Sequence, residues 1–90
     1  MKRFNGKPNV VGRLIERTRK KKGMTKSELC RKLELLGVEF DRNEIYRIEN
    51  YRMIVKDFEL IAIMEVLNIS FDDLEKELQE IENEEDSKDF

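Results

Sequence analysis

The chain has 90 residues, a single cysteine and no histidine. This composition excludes zinc fingers, catalytic triads that need imidazole and any disulfide framework within the chain. Ninety residues are enough for one compact domain, and no apolar run approaches the roughly 20 residues of a membrane span. The N-terminus has no signal-peptide core, so we expect a soluble cytoplasmic protein. We expect no metal or cofactor.

Charge is divided unevenly along the chain. Residues 1–52 carry 15 Lys and Arg against 7 Asp and Glu, a net of +8, whereas residues 53–90 carry 3 against 13, a net of −10. The split indicates a basic surface for a polyanion, joined to an acidic segment that does not touch it. Two separately solvated faces would give the same distribution. Residues 1–8, with Lys2, Arg3 and Lys7, are typical of a basic N-terminal arm, although basic tails are common.

The spacing of apolar residues predicts an all-α chain of five helices. The first helix is expected from residues 8–9 to about Lys22, with Gly23 at its end. The stretch Thr25–Glu28 has the pattern of a capping box at the start of the second helix. That helix is predicted to end at Gly37 in a left-handed cap. Its apolar stripe consists of Leu29, Cys30, Leu33 and Leu36.

A third, short helix is predicted from the cap residue Asp41 to about Asn50, with Glu44 three residues after the cap. Phe40, just before the cap, is expected to pack against it. Ile45 and Ile48 form its apolar face. The opposite side carries Arg42, Asn43, Tyr46, Arg47 and Asn50.

The fourth helix is expected to be capped by Asp57 and is apolar on nearly every side, which is typical of a helix at the centre of a core. The fifth is expected to start at Ser70, with Leu74, Leu78 and Ile81 facing inward. The domain would therefore span residues 9–81. Acid dominates residues 82–90, which predicts a fraying or flexible tail. This tail is either solubilising or a DNA mimic that competes for the basic face.

The polar side of the third helix carries the residue types that read DNA bases. Arginine pairs with guanine through two hydrogen bonds, and asparagine pairs with adenine in the same way. Arg42, Asn43 and Arg47 project from one side over about a turn and a half. An ordinary solvated helix face has the same composition, so these residues alone leave both interpretations open.

The ordered set of motifs from Val11 to Leu74 resembles the lambda-repressor-like, Cro/C1-type helix-turn-helix family, also called the XRE family. The matching stretches are residues 11–15 with Arg19, 23–30, 45–50, 62–67 and 69–74. The resemblance implies a five-helix lambda-repressor-like bundle, here with an acidic C-terminal tail, that binds double-stranded DNA.

The resemblance also implies roles for single residues. Base contacts would come from the recognition helix, through Arg42, Asn43 and Arg47. Phosphate contacts would come from Thr25, Lys26, Ser27, Tyr46, Asn50, Arg52 and Arg19. Arg19 and Glu49 match a structural ion pair between the first and third helices, from which Arg19 also reaches toward a phosphate. Gly12 and Cys30 match small residues at close helix contacts.

Two features depart from the family pattern. Between Cys30 and Ile45 stand 14 residues, more than the short-turn members have, so the second helix is expected to gain a turn before a link at Val38–Phe40. The usual glycine after the third helix is replaced by Tyr51, which is sterically disfavoured if this position needs a positive φ.

These expectations describe a small prokaryotic or phage-like transcriptional regulator or repressor, associated with the nucleoid, rather than an enzyme. It would insert the third helix into the major groove of an operator. One short helix reads about 4 or 5 base pairs, so a homodimer is expected, with Phe71, Leu74, Leu78 and Ile81 at the contact. The alternative is a protein-interaction module, antitoxin-like or anti-repressor-like, that uses the fifth helix.

Overall fold

The computed structural model describes residues 6–87, with side chains through residue 84, and contains five helices and no strands within that range. They are α1 (Gly12–Lys21), α2 (Lys26–Glu34), α3 (Arg42–Glu49), α4 (Asp57–Leu67) and α5 (Phe71–Ser87). The predicted all-α, five-helix architecture is confirmed. Lys2 and Arg3 of the predicted arm and residues 88–90 of the predicted tail lie outside the described residues.

Reciprocal capping boxes fix three of the helix starts, as the sequence predicts. At α2, the Thr25 hydroxyl accepts from the Glu28 N–H at 3.0 Å, and the Glu28 carboxylate accepts from the Thr25 N–H at 2.8 Å. Each box satisfies backbone groups that a helix terminus leaves without a partner. The same pair of bonds joins Asp41 with Glu44 at α3 and Ser70 with Asp73 at α5.

The first helix begins at Gly12, later than predicted, and Asn9 lies outside it, where its side chain binds the backbone at the helix start. The Asn9 carboxamide oxygen accepts from the N–H groups of Val11 and Gly12, at 3.0 and 2.9 Å. Its amide group donates to the carbonyl oxygens of Ile48 and Met53, at 3.1 and 2.8 Å. This buried side chain therefore joins the start of α1 to the end of α3.

Four helices end in a residue with left-handed backbone. The next residue then donates its N–H to the carbonyl oxygen five positions before it. After the left-handed Gly37, for example, Val38 donates to Leu33 at 3.0 Å. This pattern is the Schellman motif. The left-handed residues are Gly23, Gly37, Tyr51 and Asn68, with φ of 68°, 84°, 61° and 58°.

The link between α2 and α3 is longer than a simple turn, as predicted, and it contributes to the core. The last residue of α2 is Glu34, earlier than the predicted end at Leu36–Gly37, and a non-helical turn leads to the left-handed Gly37. Val38 and Phe40 are buried behind it. Leu36 is 44% exposed, contrary to its predicted place in the apolar stripe, because it follows the end of α2 and lies in the turn.

The core lies between α1, α2, α3 and one side of α4. At Gly12, an added β-carbon would overlap the carbonyl oxygen of Ile48 and lie 2.9 Å from that of Glu49, so α1 and α3 are in direct backbone contact there. This confirms the predicted close helix approach at Gly12. The fully buried side chains are Ile15, Leu29, Leu33, Ile45, Ile48, Ile63 and Leu67.

The expectation for α4 needs two corrections. Its N-cap is Lys56 rather than Asp57, and the Glu59 carboxylate accepts from the Lys56 N–H at 2.9 Å. It is also not buried on all sides: Phe58 and Ile61 are 55% and 61% exposed. The reason is that α1 and α2 pack against only one side of this helix.

Ion pairs tie α5 to α1. Arg13 Nε and Nη1 lie 2.9 Å from carboxylate oxygens of Glu77 and Glu84, respectively. Arg17 also reaches Glu77, at 3.4 Å, and the Glu77 carboxylate is buried. The acidic segment therefore touches the basic half of the chain, contrary to expectation, because two arginines of α1 face it.

The fifth helix extends beyond the predicted end of the domain. The sequence predicts fraying from Glu82 onward, whereas α5 continues to Ser87. Ile81 is buried, and Glu84 is held by Arg13 one turn further on, so the helix has tertiary partners in this region. No described helix is long and apolar enough to cross a membrane.

Candidate nucleic-acid interface

The outer face of α3 is polar and exposed. Ile45 and Ile48 are completely buried, and their spacing of three residues turns one side of the helix toward the core. The opposite side is open to solvent within the described part of the chain. Its residues are Arg42, Asn43, Tyr46, Arg47 and Asn50.

The N-termini of α2 and α3 lie side by side and form a groove. One wall carries Lys26 and Ser27 from the first turn of α2. The free N–H groups of a helix N-terminus favour an anion, and nearby cations reinforce that preference. The groove is lined by Arg19, Thr25, Lys26, Ser27, Arg42, Asn43 and Tyr46, which brings together five of the predicted phosphate residues and two of the predicted base residues.

A second groove lies along the other edge of α3. Asn43 and Arg47, one helical turn apart, share it with Arg52 from the loop that follows the helix. Asn50 is close by, but its amide group donates to the Tyr46 carbonyl oxygen at 2.8 Å. This bond uses one of the two amide hydrogens, so the other hydrogen and the carboxamide oxygen are available to a ligand.

Arg19 and Glu49 form a buried ion pair between α1 and α3. Arg19 Nε and Nη2 donate to the two carboxylate oxygens at 2.7 and 3.1 Å. Arg19 Nη1 donates to the carbonyl oxygen of Met24 at 2.8 Å, so the same guanidinium also holds the turn before α2. The hydrogen bonds that Arg19 donates to Glu49 raise the pKa of Arg19. The pair fixes α3 relative to α1 and to the start of α2.

Tyr51 has a contact that sequence reasoning did not identify. Its backbone is left-handed, which is the conformation predicted to be sterically unfavourable for tyrosine. The Schellman turn after α3 nevertheless forms around it. The phenol oxygen accepts from the Arg13 N–H at 3.2 Å, and Lys7 Nζ lies 4.5 Å from the ring centroid. Asn9 was also missed. The contacts that join Asn9 and Tyr51 to other elements span about 40 positions in the sequence, so no local motif marks them.

Cys30 is half-buried rather than fully buried, and it packs against the core beside the link between α2 and α3. Burial raises the pKa of its thiol, so the neutral form dominates at neutral pH and the thiol is a weak nucleophile. Within the described residues, no three potential metal-ligating side chains come together.

The residues expected at a dimer contact divide into two groups. Phe71 is 77% exposed, and Leu74 and Leu78 are half-buried along an apolar groove whose other wall includes Leu60. Ile81 is 7% exposed because it faces the interior of its own chain. It is therefore not on the surface expected for a partner.

Comparison with known proteins gives one match. A family model described as helix-turn-helix, of the Cro/C1 type, matches residues 15–74, two thirds of the chain. No curated protein and no solved structure matches the chain. The matched residues begin inside α1 and end inside α5, so they include both helices of the groove and the exposed face of α3. The chain therefore belongs to the Cro/C1-type helix-turn-helix family of DNA-binding regulators.

Proposed function

We propose that this protein is a transcriptional regulator that binds a specific DNA operator by inserting α3 into the major groove. The observation that carries the proposal is the division of α3 into a fully buried apolar side and an exposed polar side. A helix can enter the groove when its outer face is polar and neighbouring helices hold it. The contact at Gly12 and the Arg19–Glu49 pair hold α3 in this way.

Asn43 and Arg47 are the central base-reading residues in this proposal, and Arg42 is the third. Asn43 and Arg47 are four residues apart, so their side chains are neighbours on the helix surface. Arg42 occupies the first turn, beside the groove between α2 and α3. The amide of asparagine fits adenine and the guanidinium of arginine fits guanine, each through two hydrogen bonds.

Phosphate contacts would flank α3 at both ends. The eight residues of α3 span about 12 Å, which is close to the width of the major groove. Lys26 and Ser27 lie at one end of the helix, and Asn50 and Arg52 lie at the other. Thr25, Tyr46 and Arg19 line the first of these ends, although the Arg19 guanidinium is committed to Glu49 and Met24. The arrangement supports contact with the backbones on both sides of the groove.

We further propose that two copies bind one operator through the apolar groove between α4 and α5. Phe71 projects beside this groove, which Leu74 and Leu78 line, so the same surface carries both a protruding ring and a cavity to receive one. A two-fold contact requires such self-complementarity. Asp72 and Glu75 also line the groove. Two copies would bring these like charges together, and salt should therefore strengthen the dimer.

A second candidate function is binding of another protein at the same surface. The supporting observation is that the apolar side chains there are accompanied by carboxylates, which suit a basic partner. Salt would weaken that complex. Sedimentation of the protein at low and high salt separates the two cases. Phe71→Ser should abolish the dimer, whereas Leu35→Ser, at an exposed apolar residue outside this groove, should leave it intact. A chain that is monomeric at every salt concentration contradicts the dimer proposal.

The DNA-binding proposal is tested by measuring affinity for a random duplex as a function of salt. Each phosphate contact contributes a slope of about −0.9 in log affinity against log salt. We expect a steep negative slope for the wild type, and a shallower one for Lys26→Gln. Lys76→Gln removes the same charge from α5 and should leave the slope unchanged. Absence of binding at low salt contradicts the proposal.

A further inference from the structure

The segment before α1 is fastened to the loop that follows α3. The Asn9 amide donates to the carbonyl oxygen of Ile48, in the last turn of α3, and to that of Met53, within the loop. Two residues earlier, Lys7 Nζ lies 4.5 Å from the centroid of the Tyr51 ring. Segment 7–9 is therefore held at the C-terminal end of α3.

Tyr51 occupies a backbone conformation that favours glycine, with φ of 61°. Its side chain nevertheless makes two contacts that glycine cannot make. The phenol oxygen accepts from the Arg13 N–H at 3.2 Å, which satisfies an unpaired donor in the first turn of α1. The ring face lies under the ammonium group of Lys7, within the range of a cation–π contact.

The ammonium group of Lys7 is held beside the residues proposed to contact phosphate. Tyr51 lies between Asn50 and Arg52 in the sequence, so the cation lies at the same end of α3 as they do. Lys7 is exposed, and within the described residues it has no carboxylate partner. Stacking on a ring leaves its positive charge available to an anion.

We propose that Lys7 is a further DNA phosphate contact and that Tyr51 is the residue that positions it. This inference rests on the proposed function and adds to it a contact from outside the helix-turn-helix unit. A cation already held in place loses less conformational freedom on binding than a free lysine side chain does. The tyrosine would therefore contribute to affinity without itself touching DNA.

The test measures affinity for a random duplex against salt, on full-length protein whose melting temperature is determined in parallel. Lys7→Gln should make the slope shallower by about 0.9, since one phosphate contact is lost. Lys76→Gln is the control for charge and should have no effect. Tyr51→Phe keeps the ring and loses the bond to the Arg13 N–H, so it should lower the melting temperature and reduce the salt slope less than Lys7→Gln does.

Tyr51→Gly separates positioning from a purely structural role, because glycine suits the left-handed backbone. Alone, it should weaken DNA binding severalfold. Combined with Lys7→Gln, it should cause no further loss, because the ring acts only through Lys7. If Lys7→Gln keeps the wild-type slope while Lys26→Gln does not, the inference is wrong and the proposed function stands. If the wild type does not bind DNA at low salt, both are wrong.

Discussion

Replacing Glu49 by alanine would test the role of the buried ion pair most severely. The side chains of Arg19 and Glu49 are 6% and 0% exposed, respectively. In Glu49→Ala, the guanidinium keeps its bond to Met24 but loses two hydrogen bonds and its counter-charge. Removing one partner of a buried pair typically costs about 3–5 kcal/mol. For a domain of this size, that predicts a fall in melting temperature of at least about 12 °C.

Two further variants make the assay specific. Glu16 and Lys20 form an exposed pair at 3.2 Å, so Glu16→Ala should cost no more than about 0.5 kcal/mol. The double variant Arg19→Met with Glu49→Leu replaces both charges by apolar groups and should recover most of the lost stability. Urea unfolding, followed by circular dichroism, gives the free energy of unfolding for each protein.

The variant should also weaken DNA binding at a temperature where it is folded, because α3 loses its fixed orientation relative to α1 and α2. The reasoning is refuted if Glu49→Ala unfolds with a free energy within about 0.5 kcal/mol of the wild type, the size of a surface effect.

Two other predictions concern the packing of α1 and the helix caps. Gly12→Ala should destabilise the fold by about 1–3 kcal/mol, because its β-carbon would overlap the Ile48 carbonyl. Gly23 has open space around it, so Gly23→Ala should cost only about 1 kcal/mol. Equal costs of the two variants in thermal unfolding would contradict this prediction. Hydrogen bonds from Thr25 lower the pKa of Glu28 below its usual 4.5, and those from Ser70 lower the pKa of Asp73 below 3.8. Because both pKa values are lowered on folding, these carboxylates stabilise the protein above their usual pKa, and the stabilisation is lost as pH falls through the lowered values. Carboxyl titrations by NMR should give midpoints below 4.5 and 3.8, and higher midpoints would disprove the capping interpretation.

Features encoded by nearby residues could be predicted from the sequence. The capping boxes at Thr25, Asp41 and Ser70 depend on residues three positions apart. The exposed face of α3 follows from Ile45 and Ile48, since two apolar residues at helical spacing determine which side is buried. For the same reason, helical spacing alone is enough to name the side chains on the opposite face, which include the three proposed to contact bases.

Features that depend on distant residues could not be predicted. The apolar residues of α4 indicate burial on every side, but no described element covers Phe58 and Ile61. The contact between Arg13 and Glu84, in the unpredicted part of α5, spans 71 positions. The contact of Tyr51 with the start of α1 spans 38 positions. Composition and periodicity contain no information about which distant residue a side chain will meet.

The central claim is that the exposed face of α3 reads DNA sequence. Selection of bound duplexes from a random pool, repeated with Arg47→Ala and Asn43→Ala, tests it most directly. We expect the wild type to enrich a motif with paired half-sites, and each variant to lose preference at particular base pairs while Lys76→Gln keeps the full motif. If the wild type enriches no motif, or if both α3 variants enrich the unaltered motif, α3 does not read DNA sequence.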